Sequence, residues 1–174
     1  CLIALSTGQR LQTMAALDLN NIIRDTNKIS FPITSITKTS APGKSFTVHI
    51  HRYPIDDSLC PLLTTYKYLE RTKDLRVSSK LFIGANKPHK PVTNQTLGRW
   101  IKAGLGKANC DAGFGSHSTR HASSSTAAKQ GVPVNKILST VGWTNASTFQ
   151  KFYRRETTSN DNGLTFCQAV LGQE

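Results

Sequence analysis

Within residues 117–153 the chain carries His117-Ser118-Thr119-Arg120-His121, then Gly142-Trp143, then Lys151-Phe152-Tyr153. An imidazole, a guanidinium, an indole N–H and a phenol therefore lie close together in sequence, and Arg10 and a lysine between strands add to them. This set suits the cleavage of a phosphodiester without a metal ion. Guanidinium and imidazole donors neutralise the non-bridging oxygens of a phosphate. An indole N–H donates and cannot accept, so it fits an oxyanion. A tyrosine can hold a phosphoryl group covalently and keep the bond energy for rejoining.

The charge distribution points to the partner. The chain has 174 residues and a net charge of +12. Residues 75–155 hold 13 Lys and Arg against one acid, Asp111, and the remainder holds nine of each. All of the excess thus sits on the segment that bears the His-Arg-Trp-Tyr set. A polyanion is the natural ligand of such a surface, through lysine and arginine contacts to phosphates and the release of counterions. Cys1, Cys60, Cys110 and Cys167 are far apart and form no C-x-x-C pair. Neither a metal site nor a disulfide framework is expected, and a reducing intracellular compartment fits. The opening run Cys1-Leu2-Ile3-Ala4-Leu5 has no basic flank. It is expected to be the tail of a helix at a fragment boundary, not a signal peptide or a membrane span.

These residues need elements to position them. Thr7-Gly8 breaks the opening helix, and a second runs over 9–17 with Leu11, Met14, Ala15 and Leu17 on overlapping faces, ending at Asn20-Asn21. Residues 29–33, 36–38 and 46–50 read as three short antiparallel strands, with Pro42-Gly43 turning between the last two. Asp57 or Ser58 is expected to cap a helix buried through Leu59, Leu62, Leu63, Tyr66 and Leu69. A loop follows over 86–91. Thr93 caps a helix buried through Leu97, Trp100, Ile101 and Leu105, and 104–115 reads as irregular. The next helix covers 119–130, and its Ala122, Ser123, Ser124, Ser125 and Ala127 permit close packing. Pro133 opens another, with Val134, Ile137, Leu138 and Val141 inward and Gly142 past its end. Ser147 caps 148–155, and 164–171 forms a last short helix. The fold class is α+β, mainly α-helical with a small three-stranded antiparallel sheet, in a single domain.

The spacing H-x-x-R, then G-W, then Y about ten residues on, preceded by Thr7-Gly8-Gln9-Arg10 where the family has a T-G-x-R box, resembles the catalytic domain of tyrosine recombinases of the phage integrase family. The resemblance runs from this box to Tyr153. The tokens G-Q-R-x-Q-T and S-T-F-Q-K-F-Y look most like eukaryotic mobile-element recombinases of the crypton and DIRS-like groups. It implies a metal-independent DNA strand transferase with no cofactor, in which Tyr153 attacks the scissile phosphate to give a 3′-phosphotyrosine and a free 5′-hydroxyl. Arg10, His117, Arg120 and Trp143 would stabilise the developing charge. The family's acid lies between its second and third strands, which matches Lys38, with Lys44 across the same turn as the alternative. His117 would take the tyrosine proton. The chain departs from the family at Thr13, where many relatives have glutamate, and in a Trp143-to-Tyr153 gap of ten residues where nine is commoner.

The resemblance also implies double-stranded DNA as partner, assembly on it as a tetramer from a monomeric fragment, and a nuclear site in a eukaryote or a cytoplasmic one otherwise. It further implies that residues 1–174 are the catalytic domain without the preceding core-binding domain, and that 164–174 holds an exchange helix. Two rival readings share the residues: strand relaxation of the type IB topoisomerase kind, and a catalytically silent, domesticated DNA-binding module.

Single residues carry readings of their own. Arg10 at a helix start opposes the macrodipole, which favours a functional role over capping. His117 and Arg120, one turn apart, are expected to share a pocket, with His121 pointing elsewhere as a structural residue. Phe149 and Phe152 share a face and leave Tyr153 turned toward the basic surface.

Overall fold

A computed structural model describes residues 1–33, 46–143, 149 and 170. The elements are α1 (Leu2–Thr7), α2 (Leu11–Ala16), β1 (Ile23–Arg24), β2 (Lys28–Ile33), β3 (Phe46–His51), α3 (Pro61–Arg71), α4 (Asn94–Lys107), α5 (Ser116–Lys129) and α6 (Val134–Val141), with a 3-10 turn at Lys73–Leu75. The sheet is antiparallel in the order β1-β2-β3. Mainly α-helical with a three-stranded antiparallel sheet is therefore the observed architecture.

Membership of the sheet differs from expectation. The expected strand at 36–38 and the turn at Pro42-Gly43 lie outside the described residues. The third strand is β1, whose two residues are too few to show a period. In β2 and β3 the alternation holds. Ile29 pairs with Ile50 and Phe31 with Val48, and all four point into a core shared with Leu17, Leu62 and Leu81. Each large aliphatic or aromatic side chain so buried contributes about 1.5–3 kcal/mol.

Helix α1 ends at Gly8, whose φ of 59° places it in the left-handed region, and its N–H closes the helix on Ala4 O. This is the break expected at Thr7-Gly8. Helix α2 stops at Ala16, short of Asn20-Asn21. The cap of α3 is Cys60, not Asp57 or Ser58. Its Sγ accepts the Leu63 N–H at 3.5 Å, and Pro61 takes the first helical position. The nearby acids serve elsewhere: Asp56 Oδ1 accepts the Ser58 N–H at 2.7 Å, and Asp57 pairs with Arg52 at 3.7 Å. Leu59 consequently lies outside the helix.

Thr93 does cap α4, its hydroxyl accepting the Thr96 N–H. The helix buries Leu97 and Ile101 but leaves Trp100 40% exposed. It continues through Gly104 to Lys107, because Leu105 packs on the cluster of Ala4, Met14, Val92, Leu97 and Ile101. Helix α5 starts three residues earlier than its pattern, where Gly115 N–H donates to Ser118 Oγ. Its small face is used as expected. Ser123, Ser124 and Ala127 are fully buried, and Ser123 Oγ reaches Leu5 O of α1 at 2.6 Å. In α6, Ile137 and Val141 are buried while Val134 is exposed. They pack with Ala127, Val132 and Phe149, and Val170 lies against the same cluster. No helix among the described residues is long and apolar enough to cross a membrane.

Candidate active site

Arg120 leaves α5 on the same inner face as Ser123, Ser124 and Ala127 and is only 8% exposed. A guanidinium cannot give up its charge, so burial obliges it to find acceptors. Nη1 supplies both of its N–H groups to main-chain carbonyls, Gly8 O at 2.6 Å and Val141 O at 2.8 Å. These carbonyls are 112 and 21 residues away in sequence. The first belongs to the turn that leads into Arg10; the second ends α6, two residues before Trp143. The guanidinium carbon also lies 4.7 Å from the Trp143 ring centroid, a cation–π geometry. The arginine box, the H-x-x-R helix and the G-W corner, far apart in the chain, are thus held around one side chain.

The G-W corner has its own local logic. Gly142 adopts φ 67° and closes α6, its N–H donating to Ser139 O while Trp143 N–H donates to Leu138 O. A β-carbon at Gly142 would meet Phe46 Cζ at 3.2 Å. Phe46 opens β3, directly after the segment that carries Lys38 and Lys44. Trp143 is half-buried, and its ring packs at 5.9 Å from that of Phe149, which is itself 4% exposed. The indole therefore serves the core as well as flanking Arg120. Phe149 packs inward as its spacing required, four residues before Tyr153.

Arg10 sits at the N-cap of α2 with extended backbone and a half-buried side chain, so the cation does stand at a helix start. Thr13, in place of the glutamate, is buried in that helix. His117 is exposed on the first turn of α5 and lines a groove of about 570 Å³ together with Leu5, Leu105, Cys110, Phe114 and His121. His121 lines the same groove, while the Arg120 guanidinium turns inward to its two carbonyls. Lys38, Lys44 and Tyr153 lie outside the described residues, as do the helices expected at 148–155 and 164–171 apart from Phe149 and Val170.

Sequence reasoning passed over Gln9. Its side chain is 5% exposed, and Nε2 donates to Thr140 O at 2.6 Å and to Thr7 O at 3.2 Å. An amide out of water must find partners, but the burial that imposes this comes from the fold and not from the local sequence. Among the described residues no group of three or more His, Cys, Asp or Glu side chains is placed to share a metal ion.

The family model described as "Phage integrase family" matches residues 1–159. A search of curated protein sequences found no match. Among solved structures, the chain is similar to the XerH site-specific recombinase bound to difH substrate, with a TM-score of 0.67 and 16% identity over 89% of this chain and 41% of that one. It is similar to XerA recombinase with a TM-score of 0.67 and 16% identity, over 89% of this chain and 51% of that one. It also resembles the Tn1549 transposon integrase in complex with transposon right-end DNA, with a TM-score of 0.66 and 14% identity over 90% and 53%. At these identities the likeness is one of fold, and the chain spans about half or less of each of these proteins.

Proposed function

The chain belongs to the phage integrase family, and from that premise we propose that it cleaves and rejoins DNA strands through a 3′-phosphotyrosine intermediate. The observation that carries the reading is Arg120, whose guanidinium ties the Arg10 turn to the end of α6 and stacks on Trp143. Chance surface residues would not converge in this way from three separate parts of the chain. In the proposed reaction Tyr153 Oη bonds to phosphorus as the bond to the 5′-oxygen breaks. Arg10, Arg120, His117 and Trp143 stabilise the added charge by fixed donors. A phenol of pKa about 10 is little ionised at neutral pH, so His117 takes its proton, and Lys38, or Lys44 in its place, gives one to the departing 5′-oxygen. A 5′-hydroxyl from another strand reverses these steps and completes the exchange.

Double-stranded DNA is the proposed partner, supported by the +12 charge and its concentration in residues 75–155. The G-Q-R-x-Q-T and S-T-F-Q-K-F-Y tokens favour a eukaryotic mobile element of the crypton or DIRS-like kind and hence a nuclear site. Tetrameric assembly on DNA, with residues 164–171 docking on a neighbouring copy, is part of the same proposal. The test is incubation with duplex nicked just beyond the scissile phosphate, followed by a denaturing gel. Wild-type protein should form a covalent adduct. Tyr153→Phe should form none while binding DNA within a few-fold of wild type. An adduct formed by the mutant would remove Tyr153 as nucleophile, and binding without adduct by wild type would favour the silent module.

A further inference from the structure

The last turn of any α-helix leaves four carbonyls without helical partners. In α6 these are the carbonyls of Leu138, Ser139, Thr140 and Val141. Two are satisfied by the chain's own reversal, through Trp143 N–H and Gly142 N–H. The other two accept side chains from elsewhere: Val141 O from Arg120 and Thr140 O from Gln9. The same two side chains also grip the opposite wall of the site, Arg120 at Gly8 O and Gln9 at Thr7 O. Both partners of the Gln9 amide nitrogen are carbonyl oxygens, so the amide's orientation is determined, and both of its N–H groups are used.

We propose that Gln9 is a positioning residue that sets Arg10 relative to Trp143, by stapling the Thr7–Arg10 turn to the end of α6 alongside Arg120. The inference rests on the proposed strand-transfer chemistry and deepens it. Gln9 is buried, and it acts through Arg10. It is covalently next to Arg10, and Thr140 is three residues before Trp143, so the staple links the segments that carry two donors to one phosphate. Without it, the turn would lose one of the two side chains that tie it to the end of α6, and the placement of Arg10 would loosen. A shift of about 1 Å in a donor lowers the rate of a chemical step by up to about 100-fold.

The test compares Gln9→Met, which keeps the length of the side chain and removes both donors, with wild type. Adduct formation is timed on nicked duplex carrying either a normal phosphate or a methylphosphonate at the scissile position. The methyl replaces one charged oxygen, so an accurately aimed guanidinium matters less there. The expected result is a rate lower by about 10–100-fold on the phosphodiester, a much smaller loss on the methylphosphonate, and gel-shift affinity within a few-fold of wild type. Equal losses on both substrates would assign Gln9 a general structural role and overturn the inference, as would an unchanged rate. No adduct from the wild type would instead overturn the proposed function itself. If Gln9→Met does not melt cooperatively, Gln9→Asn takes its place, since it keeps the amide but is one methylene too short to reach both carbonyls.

Discussion

Replacing Arg120 should damage the fold as well as the chemistry, and the geometry sets the size of the effect. Arg120→Ala removes two hydrogen bonds from a charged donor, at 2.6 and 2.8 Å, each worth about 1.5–3 kcal/mol. It also removes a cation–π contact at 4.7 Å, worth about 1–2 kcal/mol where solvent is largely excluded. Against this stands the cost of keeping a guanidinium out of water, which the mutant no longer bears. The net loss should be about 2–4 kcal/mol. For a domain of this length each kcal/mol moves Tm by about 2–4 °C, so thermal melting followed by circular dichroism should show a drop of roughly 5–15 °C. Arg120→Lys keeps the charge but presents a single ammonium, which can hold one wall but lacks the planar fork that spans Gly8 O and Val141 O. It should melt between alanine and wild type and still fail to form adduct at a normal rate. A double-mutant cycle with Trp143→Leu should give a coupling of about 0.5–2 kcal/mol. If Arg120→Ala melts within a degree or two of wild type, the guanidinium is not a tie between the three elements, and their convergence on it carries no functional reading.

Other outcomes follow from the same geometry. Gly142→Ala should cost about 1–3 kcal/mol in urea titration, because φ 67° disfavours a β-carbon and that carbon would meet Phe46 at 3.2 Å; trimming Phe46 to Leu in the same chain should recover part of the loss. Adduct formation should proceed unchanged in excess EDTA, since Arg10 and Arg120 supply the positive charge that a metal otherwise would, and strict dependence on added magnesium would contradict this. His49 and His51 are both held below the ordinary imidazole pKa of 6.5 by desolvation, with Lys28 adding to it and His49 acting on His51. The unfolded chain therefore binds protons that the folded chain resists. Their contribution to stability is complete above about pH 6.5 and is lost as pH falls below it, and changing both to Gln should flatten the urea midpoint between pH 7.5 and 5.5.

How much of this was legible beforehand depended on whether the signal was local. Helices with a clear apolar period and a chemical stop were readable: Gly8 and Gly142 both adopt the left-handed conformation that ends their helices, and Thr93 caps α4 through its hydroxyl. The packing role of Ser123, Ser124 and Ala127 was readable because only small side chains let two helices approach. Charge and residue order alone pointed to a polyanion and to phosphoryl chemistry. What the chain could not announce was decided by neighbours distant in sequence. Two-residue β1 exists only because β2 offers it an edge. Cys60 displaced Asp57 and Ser58 as cap because the latter region formed its own turn. Trp100 stayed at the surface since Leu97 and Ile101 already filled the space beneath α4. Most of all, no local spacing told where the Arg120 guanidinium would be held. A buried guanidinium must follow its acceptors, and those acceptors, Gly8 O and Val141 O, stand 112 and 21 positions away along the chain. Gln9 escaped notice for the same reason: its role lies in a carbonyl 131 positions away, and no local pattern encodes a partner at that distance.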